Sequence, residues 1–315
     1  MNDRSPVDGT VALRHWGLIR ARGAEALPFL QGQLTNDVVG MAPAEVRLAG
    51  FCSAKGRLQA SFIVWQLAPD DVLLACAASV LPATLKRMSM FVLRAKCRLS
   101  DATGEVALHG AVGATAGALA RVMPAGVPAW RQHTSGAATV LRLPDVHGTL
   151  RCVVAAPVSA GPPGSGPQVS LDAWRVLEVQ SGIPLIEAAT VDQFVPQMLN
   201  YEVIGGVDFR KGCYPGQEVV ARSQYRGTIK RRMYLFECDA PAAPGQEVFH
   251  SGDAGQPAGR VVNAAPRPEG GSHALVEVKL AALDSGGLHL ALPDGAVLHQ
   301  RPLPYAVPIE ATLPD

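Results

Sequence analysis

The last quarter of the chain sets the tightest limit on its fold. After Arg232 the apolar residues come in short runs, 234–238, 247–249, 259–264, 274–279 and 288–292, divided by glycine- and proline-rich turns. Runs of that length with such punctuation read as strands, and a series of them reads as a small β-barrel. Upstream the pattern changes. Strand-like segments at 16–20, 47–51, 58–67, 72–76, 106–114, 138–143 and 151–156 interleave with helix-like ones at 24–33, 80–91, 117–122 and 170–180. That alternation suits α+β lobes. Ser79 stands where a helix cap belongs, and the helix that Ser170 starts is ended by Gly182 followed by Pro184. The segment 92–99 alternates as a strand would, with Arg94, Lys96 and Arg98 on one face. Such a stripe suits either a solvated outer face or an anion site, for instance for a polyglutamate tail. The proline- and glycine-rich segment 159–167 reads as a mobile connector.

A length of 315 residues allows about two domains, and a 48% hydrophobic content supports a large core. The net charge of +1 gives no general electrostatic case for nucleic acid or an acidic membrane surface. No apolar run is long enough to span a membrane, and residues 1–4 lack the basic-then-apolar layout of a leader, so a cytoplasmic location is expected. Six cysteines are scattered without close pairs, as reduced thiols are, and no spacing offers a metal site.

One of those cysteines has unusual company. Residues 210–227 surround Cys213 with Gly212, Pro215, Gly216 and the cations Arg210, Lys211, Arg222 and Arg226. Pro215 suits the first turn of a helix, which would place the thiol just ahead of a helix N-terminus. There the helix dipole and the basic residues both favour the thiolate. Cys213 is thus the candidate reactive group, with Lys211 as its cationic neighbour and Tyr214, Gln217 and Glu218 shaping the loop.

The string K-G-C-Y-P-G-Q-E at 211–218 resembles the signature of the YgfZ family of folate-binding proteins, relatives of the glycine-cleavage T-protein (aminomethyltransferase). Further segments resemble the same family: G-Q-L-T-N-D at 32–37, C-S-A-K-G-R at 52–57, S-G-I-P-L-I at 181–186, F-V-P-Q-M-L-N-Y-E at 194–202 and P-L-P-Y at 302–305. Asn36 and Asp37 in the first of these serve equally as ordinary turn formers. The resemblance implies a T-protein-like ring of two ferredoxin-like α+β lobes with a C-terminal antiparallel β-barrel. On that basis residues 1–235 form the folate-binding region and 236–315 the barrel domain. It also implies tetrahydrofolate or a folate derivative as ligand, and iron–sulfur proteins or their assembly factors as partners, with tRNA modification supported indirectly and neither nucleic acid nor membrane bound directly.

Trp16 and Trp174 match the positions by which the family holds folate. A flat pterin or benzoyl ring stacks on an indole face with about 1–3 kcal/mol, by analogy with nucleobase stacking. Either tryptophan could equally belong to the core, Trp174 above all, since it shares an apolar helical stripe with Leu171 and Leu177. The chain departs from the T-protein where that enzyme carries a carboxylate for its folate chemistry: Gln59, Ala60 and Ser61 stand there. An amide or a methyl group cannot do a carboxylate's acid–base work, so a maintenance role in iron–sulfur metabolism is expected over the alternative, a folate-dependent aminomethyltransferase. A shifted alignment would let Asp37 supply the carboxylate.

Overall fold

The computed structural model describes residues 7–124, 126–164, 166–226 and 229–308. Gly227 of the cysteine-centred stretch, Ser165 of the connector and positions 1–4 lie outside them. In chain order the strands of the first half are β1 (Gly9–Ala12), β2 (Trp16–Arg22), β3 (Val46–Cys52), β4 (Leu58–Ala68), β5 (Asp71–Ala77), β6 (Arg98–Asp101), β7 (Val106–Val112), β8 (Arg131–Ser135), β9 (Ala138–Arg142) and β10 (Arg151–Pro157). Helices α1 (Ala26–Gln31), α2 (Leu81–Ser89), α3 (Gly113–Ala120), α4 (Leu171–Gln180) and α5 (Gln217–Tyr225) punctuate the chain. Six more strands follow: β11 (Arg231–Cys238), β12 (Glu247–His250), β13 (Gly259–Pro266), β14 (Ser272–Lys279), β15 (Leu288–Leu290) and β16 (Val297–Arg301). The chain divides into two compact units, Met1–Leu30 with Val38–Arg47 and Ile63–Trp174, and Gln31–Asp37 with Leu48–Phe62 and Arg175–Asp315.

The first unit contains a five-stranded sheet of order β1-β7-β10-β9-β8. Its pairings are antiparallel. Its middle strand, β10, is buried along nearly its whole length, as expected of a strand covered on both faces. Helix α3 is largely alanine and glycine, and its Ala116 packs with Val140, Cys152 and Val154 of the sheet. On β7, a methyl group at Gly110 would lie 2.6 Å from the Trp174 indole. That position is glycine because the ring rests on its backbone.

A second five-stranded sheet has the order β3-β4-β5-β2-β6, and the boundary between the units passes within β3 and β4. Its edge differs from the alternating strand expected over 92–99. Only Arg98–Asp101 pairs, opposite β2. Before it, the Lys96 backbone is tied to the turn around Glu25, whose amide donates to the Lys96 carbonyl and whose carboxylate accepts the Lys96 amide. Those bonds replace a ladder, so Arg94 and Lys96 leave the strand. Helix α2 begins at Leu81 with Val80 at its cap, so Ser79 stands one residue too early to cap it. Ser170, expected as the first residue of its helix, stands just before Leu171 and caps it, accepting from the Ala173 amide at 3.2 Å.

In the second unit, six strands close into a barrel of order β11-β14-β13-β12-β15-β16. Three of them are buried on both faces. Phe236 and Cys238 of β11, Val261 and Ala264 of β13, and Ala274, Val276 and Val278 of β14 fill one core. Met233, Leu235, Val262, Ala265 and Leu275, which alternate with them, enter another core with Cys52, Leu58, Ile186 and Phe194. Val261 and Ala264 are three apart yet share a side, which a two-residue period forbids. The register shift between Val261 and Asn263 resolves this. β1, β8 and β16 carry no sequence signal that picked them out.

Replacing Gly110 with alanine is expected to cost about 1–3 kcal/mol, because an overpacked Cβ must push a rigid indole aside. Urea denaturation of the variant measures it.

Candidate functional site

In the second unit, the cysteine-centred loop is fixed by a contact between two glycines. A Cβ at Gly216 would lie 2.3 Å from the Ser53 carbonyl and 2.7 Å from the Gly56 Cα. One at Gly56 would lie 2.8 Å from the Val219 Cβ. Both glycines also have positive φ, 79° and 69°, where other residues are strained. So the turn from the 52–57 segment and the start of α5 touch backbone to backbone. Helix α5 begins at Gln217 with Gly216 at its cap, which corrects the expectation that Pro215 occupies the first turn. Cys213 lies on the loop before that cap.

Of the six cysteines, all within the described residues, Cys213 is the exposed one. For four of the others the barrier is chemical as well as steric. Burial pushes the Cys76 thiol up to about 12, with Asp101 adding to it, and Cys152 up to about 11, again chiefly by burial. Burial raises Cys52 further still and Cys97 more modestly. A thiol held that high is scarcely ionised at neutral pH, and the thiolate is the nucleophile and the metal ligand.

Lys211 reaches back from this loop to the 32–37 segment. Its ammonium donates to the carbonyls of Gln31 and Leu34 and lies 5.1 Å from the centre of the Tyr214 ring. Burial pulls its pKa down to about 8, against the opposing pull of Asp37, Asp208 and Cys213. Lys211 therefore interacts with the thiol electrostatically while serving as a strut between two loops. Asp37, half-buried, completes this group. Tyr214 is buried, which raises its hydroxyl pKa.

Asn36 is committed to the backbone. Its amide nitrogen donates to the carbonyls of Leu48 and Gly205 at 2.6 and 2.7 Å, and its oxygen accepts the Asp37 amide at 2.9 Å. Thr35 beside it bonds the Gly206 carbonyl and the Gly50 amide. The turn-forming alternative for this segment thus has direct structural support. Gln217 opens α5, and Glu218 is exposed and pairs with Arg222 one turn on, at 2.8 Å.

The first unit holds a cavity of about 470 Å³, within the roughly 300–1,000 Å³ of small-molecule sites. Trp16, half-buried at the start of β2, contributes to its wall together with Leu13, Leu18, Leu108 and Val158. Arg14 and His109 line it too, and neither was singled out from the sequence. Arg14 sits two residues from Trp16, but His109 arrives only through the pairing of β7 with β1, opposite Ala12. Burial holds the His109 pKa below its ordinary value, so its imidazole is neutral at pH 7. Trp174 does not line this cavity. It is 1% exposed, rests on Gly110 and has the Arg151 guanidinium 5.8 Å from its ring. A ring so enclosed packs against protein instead of offering an open stacking face. The helical stripe, one of the two alternatives open from the sequence, describes it better.

No protein-family model matches the chain. It is 28% identical over 306 residues to the tRNA-modifying protein YgfZ of Sodalis glossinidius (strain morsitans), covering 94% of this chain and 93% of that protein. This supports the resemblance carried by the 211–218 string. The glycine cleavage system aminomethyltransferase T of Bartonella henselae, known as a crystal structure, superposes with a TM-score of 0.73 at 17% identity, over 93% of this chain and 84% of that one. The chain has the T-protein type of fold, with few helices and a closed C-terminal barrel.

Iodoacetamide at neutral pH is expected to label Cys213 before any other cysteine, read by peptide mass spectrometry against time. Equal rates at all six would contradict the exposure and ionisation argument.

Proposed function

We propose that this chain is a tetrahydrofolate-binding protein that supports tRNA modification indirectly, through the assembly or repair of iron–sulfur clusters. The observation that carries the folate reading is the cavity beside Trp16. It lies in a chain whose fold is that of a glycine-cleavage aminomethyltransferase and whose relative is named for tRNA modification. The cavity's size suits a flat heterocycle, its walls are largely apolar, and an indole stands in one of them. Tetrahydrofolate, when bound, supplies a reduced pterin and the nitrogens that carry one-carbon units. The chain's own residues would hold it: Trp16 by stacking, and the apolar walls by excluding water. Domains follow the same reading, with 1–235 as the folate-binding region and 236–315 as the barrel.

The iron–sulfur part of the proposal rests on Cys213. Among the described residues no three of histidine, cysteine, aspartate or glutamate converge as a metal-holding set. A cluster would therefore be cargo, with Cys213 offering one thiolate and the client or an assembly factor the others. Asp37 and Lys211 would set the charge around that thiolate. Asn36, Tyr214, Gln217 and Glu218 belong to the same proposal as residues that shape the loop and its surroundings. No helix among the described residues is long and apolar enough to cross a membrane, and a cytoplasmic location is part of the proposal.

At positions 59–61, where the T-protein carries its carboxylate, the transferase alternative finds no acid–base group. Ala60 and Ser61 are buried in β4, and Ser61 accepts the Ile186 amide at 2.9 Å, a structural duty. Asp37 is the carboxylate that remains for such chemistry, in the group with Lys211. Mixing purified protein with tetrahydrofolate and an aminomethyl donor is expected to give no methylene transfer; measurable transfer would favour the alternative.

Titration with 5-formyltetrahydrofolate tests the preferred reading. Trp16→Ala is expected to weaken binding about tenfold or more, since 1.4 kcal/mol is a decade, and Trp16→Phe to restore part of it. Unchanged affinity in Trp16→Ala, or no binding by the parent protein, would overturn the assignment.

A further inference from the structure

The cavity beside Trp16 has a sign as well as a shape. Its lining contains one charged side chain, Arg14, and no carboxylate among the described residues. His109, the other titratable group in the wall, is neutral at pH 7 for the reason given above. Arginines nearby on β2 are used up differently: Arg20 forks onto Asp71 at 2.8 and 2.5 Å, and Arg22 reaches the same carboxylate at 2.8 Å. Arg14 makes no ion pair with any described carboxylate, and its side chain is exposed at the rim. An arginine pairs best with a carboxylate or phosphate, whose two oxygens match its fork.

His109 in the inner wall is buried, with its Nδ1 closed off from solvent. The turn that carries Arg14 is held tightly, since the Arg14 amide donates to the Ala12 carbonyl and the Trp16 amide to the Leu13 carbonyl, both at 3.1 Å. Cation and indole are thus set on one short, bonded turn, close enough to engage two parts of one small molecule.

We propose that this cavity takes a flat aromatic molecule bearing a carboxylate, and that Arg14 is the residue that selects for the carboxylate. The proposal deepens the folate reading and rests on the same cavity: a folate joins a ring system that Trp16 can stack to a glutamate that Arg14 can pair. It also assigns a specificity residue outside the motifs that resemble the family. Because the walls offer no competing negative charge, an uncharged ring compound would keep the stacking and lose only the pair.

Three probes separate the parts: 5-formyltetrahydrofolate, p-aminobenzoylglutamate, and a pterin without the benzoylglutamate portion. Each is titrated into the parent protein, Arg14→Gln and Arg14→Lys, with circular dichroism confirming that the exposed substitutions leave the fold intact. Arg14→Gln is expected to weaken both carboxylate-bearing probes about tenfold and leave the pterin unchanged. Arg14→Lys should restore part of the loss, and added salt should shrink the difference. Arg14-dependent binding of p-aminobenzoylglutamate without binding of 5-formyltetrahydrofolate would keep this proposal and end the folate reading. The proposal itself falls if Arg14→Gln binds the carboxylate probes like the parent, if it loses the pterin equally, or if the parent binds none of the three.

Discussion

The contact between Gly56 and Gly216 is the constraint on which the cysteine-centred loop depends. Two backbones cannot approach so closely if either residue carries a side chain. The contact locks the 52–57 turn against the first residues of α5, and the turn is itself rooted in the core through Cys52 and Leu58. Cys213, four residues before α5, is therefore presented to solvent by a loop fixed at its far end. Lys211 fixes the near end through the Gln31 and Leu34 carbonyls. A thiol can be exposed on any surface. Here the exposure comes with a held position.

The same economy appears in the barrel. Its strands β11, β13 and β14 send alternate residues into two cores, so the barrel interior and the support for the 52–58 segment draw on one set of strands. Hydrophobic burial on both faces stabilises more than a half-solvated sheet would. It also couples the anchor of the cysteine-bearing region to the integrity of the barrel. Asn200 adds a polar tie, donating from its amide to the Met233 carbonyl at 2.7 Å. Tyr305 adds another, its hydroxyl donating to the Gly182 carbonyl at 2.7 Å.

What could be read in the sequence was local. Five of the six barrel strands, the helix that starts at Ser170 and the glycines of the 211–218 string depend on neighbouring residues, and their periodicity or turn chemistry showed through. The segment 92–99 misled because its alternation is real, yet the backbone of Lys96 is claimed by Glu25, some seventy residues earlier. Trp174 was ambiguous for a similar reason: only the strand carrying Gly110 shows that its ring is covered. Pro215 had helical credentials, but the left-handed Gly216 after it starts the helix later. Among the candidate site residues, Cys213 and Trp16 could be found from composition and resemblance. His109 could not, because strand pairing across nearly a hundred residues sets it opposite Ala12 and into the wall of the cavity that Trp16 lines, and an unpaired Arg14 becomes visible only once the partners of Arg20 and Arg22 are known.

The account as a whole turns on what occupies the apolar cavity beside Trp16. A crystal structure of the protein grown with 5-formyltetrahydrofolate tests that most directly. The account predicts density for a ring system against the Trp16 indole with its glutamate towards Arg14. Density for the folate at any other place, with the cavity holding only water, would contradict it.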